Sequence, residues 1–227
     1  MNFVVILLGI LVIFLLYYLY TTYFVTSSKL SSYVDLKLAN TAISYNNLVS
    51  KTSTRYAYGV WIYVNSWNSN NAKTIISRGT SPNFDFKLEI GKSTPTLTCT
   101  IAETTSATST TSPTAILITD NFPLQKWTYV IVSIDNSIVD FYLDGKIVKS
   151  TKLPYVPKLL ATDITIGDKT YPDIFLASLN RWPIPMEPQT AWNNYLQGTG
   201  IPSTSNGTNL KLSVLQDNIT QRTFSLY

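Results

Sequence analysis

The first apolar block runs from Phe3 to Val25, FVVILLGILVIFLLYYLYTTYFV, and no charged residue occurs before Lys29. Its apolar positions go all the way round a helical projection, as in a membrane span and unlike an amphipathic surface helix. At about 1.5 Å per residue the segment would be roughly 34 Å long, enough for a ~30 Å hydrocarbon core. Phe3, Leu7, Leu11 and Phe14 would sit in lipid. Tyr17 and Tyr20, with Tyr18 and Tyr23, would form an interfacial aromatic belt. A cleaved signal peptide fits less well, because there is no basic n-region and the apolar run is overlong. Residues 1–28 are therefore expected to be a transmembrane anchor. The nearest basic residues, Lys29, Lys37, Lys51 and Arg55, all follow it, which places the remainder on the cytoplasmic side. Two glycosylation triplets, at Asn206 and Asn218, pull the other way.

After a stalk at 29–55, with a possible first strand at 33–38, the pattern changes to short runs rich in β-branched and aromatic residues. Strands are expected near 56–65, 73–78, 84–90, 96–101, 115–119, 127–134, 138–143, 146–150, 162–167 and 174–181. One helix fits, at 187–197, with Pro188 in its first turn and Gly198 at its C-terminal cap. The Ser/Thr-rich stretch 102–114 reads as an exposed or partner-held loop. Residues 199–227 read as a tail or an added edge strand. The sum is an all-β sandwich or jelly roll over 56–198, with one short helix.

The clearest local reading is QKWTYVIVSIDNSIVDFYLDGKIV at 125–148. Trp127, Tyr129 and Ile131 alternate with Val130, Val132 and Ile134, so this strand is covered on both faces. Asp135-Asn136-Ser137 turns the chain. Val139, Phe141 and Leu143 then share one face, and Ile138, Asp140 and Tyr142 the other. Asp144-Gly145 predicts a type I′ turn into a third strand.

Composition narrows the chemistry. There is no histidine, and the single cysteine is Cys99. A histidine general base, a disulfide within the chain and a Cys-rich zinc site are excluded. Seventeen basic residues against thirteen acidic give a mild excess, without the basic tract that nucleic-acid binding uses. No cofactor is expected.

The meander, with DITIGD at 163–168, YAYGVWIYVN at 56–65 and FLASLNRWPIPMEPQTAWNNYLQG at 175–198, resembles the laminin-G-like, concanavalin A-like jelly roll over roughly residues 33–198. That resemblance implies the fold and leaves activity open, since the superfamily includes glucan hydrolases and lectins. A glycosidase needs two carboxylates ~5–9.5 Å apart. Asp85 and Glu89, on one strand face with Lys87 between them, would be ~13 Å apart, so the chain is expected not to be an enzyme. For a lectin, Trp67 in NSWNSNN is the candidate glycan platform, though capping of the sandwich edge is the stronger reading. Trp61 and Trp127 are expected in the core, and Trp182 and Trp192 between helix and sheet. Asp163, Asp168 and Asp173 read as turn residues, not a calcium site. Asp140, mid-strand on a partly exposed face, is the other candidate for a partner contact. The anchored jelly roll is similar to membrane-associated minor capsid proteins of large double-stranded DNA viruses. That implies a structural role linking an internal virion membrane to capsid or membrane proteins, with a membrane-anchored carbohydrate-binding protein as the alternative.

Overall fold

The computed structural model describes all residues except 1–2, 24–27, 39–40, 81–82, 105–110, 160, 169, 171, 202–209, 217–218 and 227. For residues 3–6, 20–23, 28, 41, 80, 83, 111–112, 210–216 and 219–226 it describes only the backbone path. A helix, α1 (Phe3–Tyr23), is followed by β1 (Ser28–Asp35), β2 (Thr41–Ile43), β3 (Arg55–Val64), β4 (Lys73–Thr80), β5 (Asn83–Ile90), β6 (Leu97–Thr104) and β7 (Thr111–Thr119). Then come β8 (Thr128–Asp135), β9 (Ile138–Leu143), β10 (Lys146–Lys152), β11 (Ile164–Ile166), β12 (Ile174–Trp182), α2 (Pro188–Leu196), β13 (Leu210–Gln216) and β14 (Ile219–Leu226).

Two six-stranded sheets form the sandwich, in the orders β1-β12-β3-β8-β9-β10 and β2-β11-β4-β5-β6-β7. Every described pairing is antiparallel. Alternation along the strands fills the space between the sheets. Val60 and Ile62 of β3, Val130 and Val132 of β8, and Phe86 and Leu88 of β5 all belong to that core. The opposite face of the first sheet is apolar too: Ala57, Trp61, Tyr129, Ile131 and Tyr142 form a second cluster with Met186 and Ala191 at α2. β8 is thus covered on both faces, as its sequence predicts. The face of β9 expected to be partly exposed is divided: Ile138 is exposed and Asp140 half-buried. Tyr142 is buried, its hydroxyl donating to the Met186 carbonyl at 3.0 Å.

The Asp144-Gly145 turn forms with φ of 48° and 77°, as type I′ requires. Gly145 has a second constraint, since a Cβ there would lie 3.0 Å from Trp192 Cα and from Tyr195 Cβ on α2. The turn is the seat of the helix. Asp144 accepts from the Tyr129 N–H at 2.9 Å and from Lys126 Nζ at 3.0 Å.

Several expectations are corrected. The first strand starts earlier, at 28. The Ser/Thr-rich stretch is not all loop, because 102–104 extend β6 and pair with 111–113 of β7. Pro113 is tolerated on β7 because β7 is an edge strand. Residues 210–216 and 219–226 pair with each other in a separate two-stranded sheet and not with an edge of either six-stranded one. The pairing of β4 with β5 shifts between Arg78 and Gly79, which resets the alternation of β5. Asp85 therefore meets buried Arg78 at 3.4 Å, while Lys87 and Glu89 pair with each other, each 21% exposed. Asp85 and Glu89 do not share a face.

The segment expected to span a membrane forms helix over Phe3–Tyr23, but among the described residues no helix is long and apolar enough to cross one. The side chains described in α1 are those of 7–19, and they cover only roughly 20 Å. Within that stretch Leu7, Leu11, Phe14 and Tyr17 are 57–71% exposed. The side chains of Phe3 and Tyr20 lie outside the described residues, as do Asn206 and Asn218.

Candidate functional site

Helix α2 covers only part of the apolar outer face of the first sheet. Beside it lies a cavity of about 390 Å³, within the ~300–1,000 Å³ range of small-ligand sites. Gly59 of β3 makes room for two of its rings. A Cβ at Gly59 would lie 2.7 Å from Trp182 Cζ3 and 2.8 Å from the Tyr129 hydroxyl. The missing side chain lets both rings rest on the strand. Trp61 stacks on Tyr129 with centroids 5.0 Å apart, and Tyr195 of α2 stacks on Trp61 at 5.5 Å. Burial pushes the Tyr129 phenol above its usual range, and its hydroxyl can both donate and accept.

The second wall comes from β12. Its register against β3 shifts between Ala177 and Asn180, and Ser178 within the bulge has φ of 45°. A non-glycine residue in this region costs about 1–3 kcal/mol and persists only where its surroundings hold it. Here the Ser178 hydroxyl donates to the Thr199 carbonyl at 2.6 Å, and Asn180 Nδ2 donates to the Ser178 carbonyl at 3.0 Å. Asn194 and Gln197 of α2 and its C-terminal cap complete the lining with Gly198 and Gly200. Both glycines have left-handed φ, 72° and 65°, which turns the chain sharply round the mouth.

Among the described residues the lining contains aromatic rings, amides and hydroxyls and no charged side chain. Its rings offer flat apolar surfaces and its amides offer donors and acceptors together. This suits a neutral ligand with one apolar face and several hydroxyls.

The residues singled out from sequence lie elsewhere. Trp67 is partly buried against the main core, with Lys73 Nζ 5.2 Å from its ring centroid. Lys73 itself donates to the carbonyls of Asn68 and Asn71. That arrangement caps the sandwich edge. Asp140 pairs across the strands with Ser133 and Ser150, away from the cavity lining. Asp163 accepts from the Tyr45 N–H at 2.8 Å and Asp168 from the Thr74 N–H at 3.1 Å. Asp173 accepts from Ser66 and Asn65, and those bonds, that from Ser66 foremost, hold its carboxyl below the usual range. Among the described residues no three His, Cys, Asp or Glu side chains gather as metal ligands would. Trp61 and Trp182 were expected only as packing, yet both line the cavity. The signals were a glycine inside the strand YAYGVWIYV, which marks close approach, and the amides of AWNNYLQG.

The family described as the Concanavalin A-like lectin/glucanases superfamily matches residues 31–181. The chain belongs to that superfamily. Among solved structures, this jelly roll is similar to the binding domain of botulinum neurotoxin serotype D/C VPI 5993, at TM-score 0.51 and 14% identity over 70% of this chain and 40% of that one. It is also similar to the receptor binding domain of botulinum neurotoxin mosaic serotype C/D, at TM-score 0.51 and 13% identity over 63% and 36%. A third, the binding domain of botulinum neurotoxin DC in complex with SialylT, matches at TM-score 0.50 and 16% identity over 63% and 35%. This chain thus spans well under half of each of those chains, and the likeness is one of fold. No curated protein sequence matches it.

Proposed function

We propose that this jelly roll is a non-catalytic carbohydrate-binding module. The observation that carries the reading is the cavity beside α2: the rings of Trp182 and Tyr129 over Gly59, with amides around them and, among the described residues, no carboxylate in the lining to act as acid, base or nucleophile. A sugar ring has one face of C–H groups for the indole of Trp182, and hydroxyls for Asn180, Asn194 and Gln197. Asn180 and Asn194 are half-buried and Gln197 is exposed, so the amides orient the hydroxyls while the rings supply most of the contact area. The test is a glycan array probed with the full chain in detergent, wild type beside Trp182→Ala. Retention of a defined set of neutral glycans by the wild type, weakened at least tenfold in the variant, is the expected result. An array on which nothing is retained would refute the reading.

A second reading concerns anchoring, and the exposed apolar side chains of α1 favour it. The uncharged helix would hold the module to a bilayer, as a single-pass protein with the sandwich on the cytoplasmic or capsid-facing side. In a virion this would be the place of a minor capsid component contacting capsid or membrane proteins. The chain is expected to stay with membranes during alkaline carbonate extraction, and release into the supernatant would eliminate an anchor.

A further inference from the structure

The chain carries seventeen basic and thirteen acidic residues. Residues 146–158, KIVKSTKLPYVPK, hold four of the lysines and no acidic residue. The remainder therefore balances at thirteen of each, and the whole net positive charge corresponds to one continuous strip. The strip is β10, the edge of the first sheet farthest from β1, and the crossing to the second sheet that follows it. It is also apolar: Ile147, Val148, Tyr155 and Val156 are each 44–51% exposed.

The crossing is held in one conformation. Glu103 of β6 is buried, yet it serves no cavity or catalytic group. Its carboxylate accepts from the Tyr155 N–H at 2.7 Å and from the Thr114 hydroxyl. The Thr104 N–H donates to the Val156 carbonyl at 3.0 Å, and the Lys158 N–H to the Ala102 carbonyl at 2.8 Å. Pro154 and Pro157 restrict the backbone further. A buried carboxylate and two backbone bonds thus fix a tip that turns Tyr155 and Val156 to solvent.

Lysines and bulges on an edge strand commonly block pairing with another strand, and β10 has both, with its bulge between Ile147 and Lys149. That function accounts for the lysines but not for four exposed apolar side chains and a fixed aromatic tip. It also argues against a strand as the occupant. We infer that β10 and the 154–157 tip dock on an anionic lipid bilayer, with Tyr155 and Val156 entering the interface and Lys146, Lys152 and Lys158 meeting the headgroups. Lys149 is not in that set, because its Nζ already donates to the Leu117 carbonyl at 2.8 Å. Asp140 lies one strand inward, opposite Ser150, and opposes the lysines only locally. A tyrosine at the headgroup level and lysines against anionic lipid are the favoured arrangement.

Cys99 is fully buried, so Val156→Cys gives one reactive site for an environment-sensitive fluorophore. The labelled full chain is reconstituted into vesicles of phosphatidylcholine alone and of phosphatidylcholine with phosphatidylserine. Flotation with the neutral vesicles reads insertion of α1 separately. With phosphatidylserine present, the label is expected to shift to the blue and to be quenched by lipid-borne nitroxides, and both effects should fade at high salt. Lys146→Ala and Lys152→Ala should each lower the ratio of docked to free label about fivefold. Near-UV circular dichroism checks that both variants stay folded. A label equally exposed to water on both vesicle types overturns the inference, as does lipid contact that ignores phosphatidylserine and both lysine substitutions.

Discussion

Asp85→Ala is expected to destabilise the domain by about 3–5 kcal/mol, the usual cost of leaving one member of a buried ion pair behind. Arg78 and Asp85 have side chains 1% and 2% exposed, with Arg78 Nε 3.4 Å from the carboxylate. The guanidinium also lies 5.4 Å from the centroid of the Tyr45 ring and donates to the Lys51 carbonyl at 3.5 Å. Arg181, fully buried on the facing sheet, donates to the carbonyls of Val49 and Ser50 and lies over Tyr56 and Tyr58. The two arginines thus pin the 49–51 segment across one end of the sandwich. Removing the carboxylate takes from the Arg78 cation the anion that its Nε faces in the low-dielectric core. Urea or thermal unfolding measures this, as a fall in Tm of about 10 °C for a domain of this size. The paired replacement Arg78→Met with Asp85→Leu should recover most of the loss, since apolar pairs of similar volume often match buried ion pairs. It should not recover all of it, because the contacts to Tyr45 and Lys51 go with the arginine. An Asp85→Ala protein within about 1 kcal/mol of wild type would mean that the buried pair does not hold this end together.

Neither arginine is recognisable as a core residue from its own position in the chain. Arg78 alternates with Ile76 and Arg181 with Leu179, but a lone charge in an apolar row does not reveal a buried partner, since arginine is almost never fully buried unless paired. A register shift turns Asp85 toward Arg78, and shifts of this kind depend on the partner strand. The meander of β8, β9 and β10 was legible for the opposite reason. The pairing of β8 with β9 runs without a register shift, the Asp144-Gly145 turn supplies the positive φ that type I′ needs, and the pairing is local, so that only the bulge in β10 between Ile147 and Lys149 escapes the sequence. The apolar outer face of β8 was legible too, but not what covers it. Trp127, Tyr129 and Ile131 show that something does; only the tertiary structure shows that α2 stops short and leaves a cavity. Trp67 looked the best ligand platform because it stands among asparagines. The carbonyls of those asparagines instead hold Lys73 over the indole. The cavity draws on β3, β8, β12 and α2, and no single stretch of sequence contains enough of it to be recognised.

Gly59→Ala should reduce glycan binding at least tenfold while costing about 1–3 kcal/mol of stability, the usual range for overpacking. The added methyl would stand 2.7 Å and 2.9 Å from two carbons of the Trp182 ring and 2.8 Å from the Tyr129 hydroxyl. Those distances are shorter than carbon contacts tolerate, so the rings must lift from the strand. The space above them is the cavity, which is where they would go. The indole that should stack on the sugar is displaced, and the volume for the sugar shrinks. The φ of Gly59 is not in the left-handed region, so the substitution adds no backbone strain and its effect reports the contact with the rings. A double-mutant cycle separates the causes. In Trp182→Ala the closest clash disappears, so Gly59→Ala should cost markedly less stability there, with a coupling of about 0.5–3 kcal/mol between the two sites. Near-UV circular dichroism should register the displaced indole in the single variant and no further change in the double one. Additive stabilities, or unimpaired binding by Gly59→Ala, would remove both the contact and the cavity as the binding site.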